Sequence, residues 1–391
     1  MQLIVTVALL PLTLLFFQQI SLVAMVANLI AMPAVCLIVV PMSLLGALSL
    51  LVSNCFGGWV LWLSAKLLHL VWWWLTLLSE FPGCSWYHPI YNWWILVAAG
   101  IGVLLLFAPR GFPTKYLGGL WLLPLFFYAP SKPNSNEVWF TLLDVGQGLA
   151  VVVQTANHVL LYDTGPKFLE NDAGITTVVP YLRLQGIKAI DAMVVSHMDV
   201  DHSGGAESVL KALSVKNLIT SAPEKFAPVV AQKCVAGQNW HWDGIDFQML
   251  SPPQNEQLIG NEASCVLKIT QATNSVLLTG DIEREAEGLL VENYGTNLKS
   301  NILIAPHHGS ATSSTSALID FVAPKYVLFS TGYRNRFHFP NKKVVARYAK
   351  IGAELLNTAQ EGAIAFKFSD KSDILSAILY RRKERHFWQS E

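Results

Sequence analysis

Two histidines and two aspartates fall within six positions of the segment VVSHMDVDHSGG (194–205): His197, Asp199, Asp201 and His202. Imidazole and carboxylate together are a donor set for Zn²⁺ or Mn²⁺, and a carboxylate-rich site leans toward Mn²⁺. In an extended or looped segment neighbouring side chains point to different sides. His197 and Asp199 can then reach one ion while Asp201 and His202 reach a second. Two ions roughly 3.5–4 Å apart activate a water and stabilise both the attacking and the leaving oxygen of a phosphodiester. Four such residues placed behind a buried apolar strand are costly unless paired or bound to an ion. Packing alone does not account for them.

Other apolar runs end in the same kind of residue. LLYDTG delivers Asp163, SVLLTGD delivers Asp281, and NILIAPHHGS delivers His307 and His308. A lone Gly-Asp or His-His pair is a turn feature; these gain meaning because strand ends let a rigid scaffold converge side chains from distant positions. Asp281 is placed to bridge two ions. His158, His241 and His386 are isolated and read as ordinary surface or core histidines. The charge run RRKER (381–385) reads as a solvated chain end rather than a nucleic-acid contact.

The elements that must position these residues follow from short apolar runs bounded by turn residues. Strands are expected at 138–143, 149–154, 158–162, 192–195, 217–220, 246–250, 265–269, 275–278, 301–305 and 326–330. Helices are expected at 176–184, 206–213, 282–292, 314–321 and 343–351. A β-rich, layered α+β domain is the natural arrangement, without internal repeats.

The chain before this domain is of another kind. Of 27 Lys and Arg and 27 Asp and Glu, only Lys66, Arg110, Lys115 and Glu80 precede Ser131, which leaves 24 basic and 26 acidic residues after it. Apolar runs at 3–17, 22–52, 59–78, 93–108 and 116–128 read as membrane spans, since roughly 20 apolar residues cross a bilayer. The second run carries Pro33 and Pro41 and is either one broken helix or two shorter segments. The polar linker SKPNSNE (131–137) divides a membrane part, 1–130, from a soluble part, 131–391. Arg110 and Lys115 place their loop in the cytoplasm by the positive-inside rule, so the soluble part emerges outside. Cys234 and Cys265, the two cysteines of the soluble part, either form one disulfide there or stay as buried thiols. The chain begins inside an apolar stretch with no preceding Lys or Arg, which argues against a signal peptide and predicts a fragment or a late start within a longer reading frame.

At these residues the sequence resembles the metallo-β-lactamase superfamily. More narrowly it is similar to the ComEC family of competence proteins, which form an inner-membrane channel for DNA uptake. The segments LLDVGQGLAVVV, LLYDTGP, SHMDVDHSGG, NEASCVLKI, LLTGDIEREAE, APHHGSATSS and STGYRNRF carry the resemblance in the soluble part. LLPLTLLFFQQISLVAMVANLIAMP carries it in the membrane part, as the last part of a competence transmembrane domain. The resemblance implies a multi-span helical membrane segment followed by an αββα sandwich with the metal site at the open edge between its sheets. It implies two divalent ions, Mn or Zn, and partners comprising single- or double-stranded DNA, other DNA-uptake proteins and the membrane. The soluble domain would lie in the periplasm or outside the cell and degrade the strand that is not imported.

Residue by residue, His197, Asp199, Asp201 and His202 match the superfamily's HxHxDH segment, with Asp199 in place of its second His. Asp281 matches the bridging aspartate, and one of His307 and His308 the last ligand. Asp163 matches an aspartate that orients the ligand loop. Asp201 is the candidate to hold or deprotonate the attacking water. Where the superfamily has a further His ligand, Asn261 and Ser264 stand as supports of the site. The family's His-Pro after Asn-Arg becomes RNRFHFPN, which displaces the candidate catalytic histidine to His338. DNA rests mainly on the resemblance, because the soluble part carries about two net negative charges rather than the basic footprint of a duplex binder. Arg334, Arg336, Lys342 and Lys343 are a local exception. The competing readings are a membrane-anchored hydrolase of another ester and a catalytically silent DNA-transport element.

Overall fold

Alternation along the strands sets the architecture of the soluble part. In 151–153 the outer two valines join one apolar cluster and Val152 another; Leu160 and Tyr162 separate in the same way from Leu161, and Ala192 and Val194 from Met193 and Val195. Leu277, Leu303 and Val327 likewise leave the cluster that holds Val276, Leu278, Ile302, Ile304 and Leu328. Side chains of period two that are buried on both faces require cover on both faces of each sheet. The computed structural model meets that requirement; it describes residues 2–81, 83–90, 92–109, 111–127, 130–369 and 376–383. Arg110, Arg385 and His386 lie outside the described residues, and with them half of the charge argument for the loop.

The chain divides into two compact units, Met1–Pro130 and Ser131–Glu391. In the second, an eight-stranded sheet runs in the order Gln232–Lys233, Ser214–Thr220, Ala189–Val195, Val159–Tyr162, Val151–Gln154, Glu137–Leu142, Ile364–Ser369, Ala377–Leu379. A seven-stranded sheet runs Asn239–Trp242, Ile245–Ser251, Val266–Gln271, Asn274–Leu278, Ile302–Ile304, Tyr326–Phe329, Glu354–Asn357. The two sheets share a core that includes Phe140, Tyr162, Phe247, Met249 and Phe366. Helices Val179–Leu184 and Ala206–Ala212 cover the outer face of the first sheet. Arg284–Tyr294, Ser316–Val322 and Lys342–Lys350 cover the second. The result is a four-layer αββα sandwich. Within each sheet the strands that carry the chemistry are parallel: Val159–Tyr162 with Ala189–Val195, and Asn274–Leu278 with Ile302–Ile304. Their C-terminal ends therefore open onto one edge per sheet, and the polar residues follow directly.

The two sheets are also joined covalently. Cys234, next to Gln232–Lys233 of the first sheet, is bonded to Cys265, which opens strand Val266–Gln271 of the second, with the Cα atoms 5.9 Å apart. Of the two arrangements the sequence leaves open for these cysteines, the structure has the disulfide.

The first unit differs from the expectation of five spans. Among the described residues, two helical stretches are long and apolar enough to cross a membrane, Ala24–Ser49 and Asn54–Ser79. The apolar helices Ile4–Phe17, Trp93–Leu106 and Lys115–Phe127 are shorter. Gln2–Phe17 stops because Gln19–Ser21 leaves the helix to pair antiparallel with Ser85–Tyr87. The run with two prolines is one helix: between Pro33 and Pro41 it widens into a π-helical turn, Ala34–Val39, and continues to Ser49. Buried Ser64 donates to the Val39 carbonyl (3.0 Å) and pairs with Ser43 (2.8 Å), a polar clasp between the two long helices. Large apolar side chains such as Leu37, Trp72 and Leu104 stay exposed across this unit.

The disulfide closes a 31-residue separation. The double change Cys234→Ala, Cys265→Ala is expected to cost about 3–4 kcal/mol and to lower the melting temperature of the chain by roughly 5–10 °C. Thermal unfolding with and without reductant checks this, since reductant should abolish the difference between the variant and the parent.

Candidate metal centre

Asp163 follows Tyr162 in a left-handed conformation, φ 58°, which turns its side chain along the edge of the sheet. There its carboxylate, fully buried, accepts from the Ser196 backbone N–H (2.7 Å) and the Ser196 hydroxyl (2.8 Å), and holds His202 Nδ1 at 2.7 Å. A ring whose Nδ1–H is given to a carboxylate presents Nε2 outward. The backbone of the Asp201–His202 loop is pinned as well: Leu149 N–H donates to the Asp201 carbonyl (3.0 Å) and Thr164 N–H to that of His202 (2.8 Å).

Asp281 comes from the other sheet. Its preceding Gly280 has φ 55°, and a Cβ there would stand 2.9 Å from that of Ser264 and 3.0 Å from that of Ser196. Glycine lets the loops of the two sheets close on each other. Ser264 Oγ accepts from the Asp281 N–H (3.2 Å) and lies 3.4 Å from His197 Nδ1, while Cys265 N–H donates to the Ser196 carbonyl (3.0 Å). Glu262 then accepts from the backbone N–H groups of Glu283, Glu285 and Ala286, capping the helix that follows Asp281. The loop in which a superfamily ligand is lacking thus braces the site through Asn261, Glu262 and Ser264; the Asn261 carbonyl accepts from both Ser264 N–H and Oγ–H.

Four side chains converge: Asp201, His202, Asp281 and His308 each offer one donor atom within 4.8 Å of all the others. Nε2 of His202 lies 3.0 Å from Asp281 Oδ1 and 3.2 Å from Nε2 of His308, which is 3.2 Å from Asp201 Oδ2 and 3.5 Å from Asp281 Oδ2. His197 and Asp199 form a second group beside it, Nε2 to Oδ2 3.6 Å, with the His197 ring 4.3 Å from that of His202. Ser196 Oγ lies within 3.3 Å of Nδ1 of both rings and so links the pair to the cluster.

The carboxylates and histidines of the cluster stabilise opposite charges on each other. Burial disfavours charge on Asp281, but His202 and His308 outweigh it and hold its carboxyl far below the usual range. Burial also opposes charge on Asp201, and His308 and His202 again lower it. His197 lowers Asp199. Burial opposes charge on His202 too, yet Asp281 and Asp163 raise it well above the imidazole range. Of the buried side-chain atoms among the described residues that meet no hydrogen-bond geometry, two belong to the site: His197 Nε2, and Asp281 Oδ1, which faces His202 Nε2 at 3.0 Å. Orphaned lone pairs of this kind amid charged carboxylates fit a divalent metal ion.

The histidine pair resolves into two roles. His307 and His308 are both left-handed, φ 49° and 54°, strain of the kind that collects at functional sites. His308 joins the cluster. His307 turns its Nδ1 to Glu283 Oε1 (2.9 Å), which also accepts from Thr312, and its Nε2 stays 3.7 Å from Asp281. Buried Glu287, its carboxyl raised by burial, accepts from Ser314 and Thr315 N–H and fixes the loop after the pair. His338 is not brought in: it is exposed, and its ring takes part in no hydrogen bond or ion pair. Phe339 instead packs on the pair, its ring 5.8 Å from His307 and 6.4 Å from His308. Ser196, Glu262, Glu283, Thr312 and Phe339 are site residues that the sequence reading missed. Their partners lie too far along the chain for any local pattern to mark them.

The four layers with donors at the sheet edges define a metallo-β-lactamase-type domain. The metallo-β-lactamase superfamily model matches residues 143–333, and the competence protein model matches residues 1–113. Competence protein ComA of Neisseria gonorrhoeae is 34% identical over 350 residues, which are 90% of this chain and 48% of that protein. ComE operon protein 3 of Bacillus subtilis is 27% identical over 398 residues (93% and 50%), and recombination protein 2 of Haemophilus influenzae 36% over 248 (63% and 31%). Igni18, a metallo hydrolase from Ignicoccus hospitalis, superposes with a TM-score of 0.40 at 15% identity, over 59% of this chain and 100% of that one. The chain spans half or less of the length of these curated relatives. It carries a competence protein domain followed by a metallo-β-lactamase domain, and its similarity to these competence proteins runs over most of its length.

Asp163→Ala removes the acceptor that orients His202 and strands the Ser196 donors. It should weaken binding of Mn²⁺ or Zn²⁺ by about 10–100-fold, read by isothermal titration calorimetry against a Lys211→Ala control on the exposed face.

Proposed function

We propose that this chain serves DNA translocation across the inner membrane in natural transformation, and that its second unit is a divalent-metal phosphodiesterase acting on the strand that is not imported. The observation that carries the reading is the convergence of Asp201, His202, Asp281 and His308 on one point, in a chain whose first 113 residues match a competence domain. The membrane side is supported by the two long apolar helices and by the apolar surface of the first unit, far more than a water-facing domain leaves open. A multi-pass arrangement follows if the shorter apolar helices also cross. The Cys234–Cys265 disulfide favours an oxidising compartment, outside the cytoplasm, for the second unit.

In the proposed reaction His202 and His308, with Asp201 and Asp281, would hold one divalent ion, and His197 and Asp199 would face a second. Bound ions supply Lewis-acid charge to a phosphoryl oxygen and make a nearby water more acidic. Asp201, partly open to solvent, holds the attacking water and takes its proton as the new P–O bond forms and the P–O bond to one sugar breaks. Asp163 keeps His202 in one tautomer throughout, and Ser264 and Glu262 keep Asp281 from swinging away.

The test uses the full chain in detergent with end-labelled single-stranded DNA and Mn²⁺, Zn²⁺, Mg²⁺ or chelator. Metal-dependent cleavage is expected, falling by roughly 10²–10⁴ in Asp201→Ala/His202→Ala. Cleavage that persists in chelator or in the double variant contradicts the assignment. A folded chain that binds DNA but fails to cleave it with any of the metals points instead to a silent transport element; the second group, with only His197 and Asp199 of its own, gives that outcome its physical basis.

A further inference from the structure

Beside the metal cluster stands a short loop whose aromatic rings are stacked outward from it. The ring of Phe339 lies near-parallel to that of His308 (6.4 Å, 25°), and that of Phe337 near-parallel to Phe339 (5.6 Å, 18°). The Arg336 guanidinium caps the outer end, 4.8 Å from the Phe337 centroid, and Arg334 sits 5.2 Å from the centroid of Tyr333. Phe337 is 49% exposed and Tyr333 64%. This exposure belongs to a held conformation. Asn335 Nδ2 donates to the carbonyls of Gly332 (3.2 Å) and Phe339 (2.8 Å), and its Oδ1 accepts from Phe339 N–H (2.9 Å), so one side chain closes the loop at both ends. Asn341 N–H then donates to the carbonyl of Gly309, the residue after His308 (2.9 Å). Arg334 and His338 are both left-handed, φ 51° and 55°. Such strain is tolerated where surrounding contacts fix the backbone, and is spent here on presenting rings to solvent.

The charge matches. Between Thr331 and Lys343 the chain has Arg334, Arg336, Lys342 and Lys343 and no acidic residue, in a unit that is otherwise slightly acidic. Exposed rings interleaved with cations are what unpaired bases and their phosphates require: every base has a face to stack, and stacking is available only to a base outside a duplex. We infer that the loop Tyr333–Phe339 is a platform for single-stranded nucleic acid, which stacks the bases flanking the scissile phosphate on the guanidinium-capped rings of Phe337 and Tyr333 and leads the backbone along Arg334 and Arg336 to the candidate metal cluster. This deepens the proposed function, on which it rests for the identity of the polymer, by making the site selective for an unpaired strand.

Binding is measured apart from cleavage. The full chain in detergent, in excess chelator and at fixed ionic strength, is titrated into a fluorescein-labelled oligothymidylate and into a duplex of the same length. The parent should bind the single strand at least several-fold tighter than the duplex. Phe337→Ala should weaken single-strand binding roughly tenfold and duplex binding less than about twofold, with an unchanged melting temperature, because the ring is exposed. Phe337→Trp should restore binding to within about threefold of the parent. Arg336→Gln should reduce the slope of log affinity against log salt by about one. Equal affinity for strand and duplex, or single-strand binding unmoved by Phe337→Ala, overturns the inference. A chain that cleaves nothing with any metal yet loses single-strand binding on Phe337→Ala would sink the phosphodiesterase assignment and leave the platform standing.

Discussion

The candidate site answers to one electrostatic constraint: the Asp281 carboxylate is buried and charged among His202, His308 and His197. A charge in that position is tolerable only beside positive charge. His202 supplies it when protonated, and a divalent ion would take the place of that proton on Nε2. The surrounding structure keeps the donors from relaxing apart. Asp163 fixes His202, the Ser264 loop fixes Asp281, and consecutive left-handed residues fix His308.

That arrangement depends on the register of two separate sheets. Each sheet ends its parallel strands at one edge, and the donors sit on the residues just beyond. Gly280, the contact of Cys265 with Ser196 and the Cys234–Cys265 disulfide hold the two edges together. The disulfide is thus close in the chain to the site: Cys265 adjoins Ser264, and Tyr162, next to Asp163, donates its hydroxyl proton to the Cys265 carbonyl (2.6 Å). A small displacement of this bond would be felt by His197, His202 and Asp281 together.

Much of this was legible in the sequence for physical reasons. All ten expected strands and all five expected helices of the second unit are present, because Val, Ile and Leu buried on both faces leave uninterrupted apolar runs with turn residues at their ends. Strand Asn239–Trp242 was missed because NWHW mixes polar and aromatic residues on a half-exposed edge. His338 was drawn into the site by its place beside Asn-Arg and Pro; the backbone turns Phe339 toward the histidine pair instead. In the first unit apolar runs are legible but their lengths are not, since strand Gln19–Ser21 and the π-helical turn at Ala34–Val39 arise from pairing and packing between segments far apart in sequence.

The most direct test of the central claim is anomalous diffraction from crystals of the chain equilibrated with Mn²⁺. The account predicts a peak at coordination distance, about 2.0–2.3 Å, from donor atoms of Asp201, His202, Asp281 and His308. Ordered density for all four side chains at saturating Mn²⁺, with no anomalous peak among them, would contradict it.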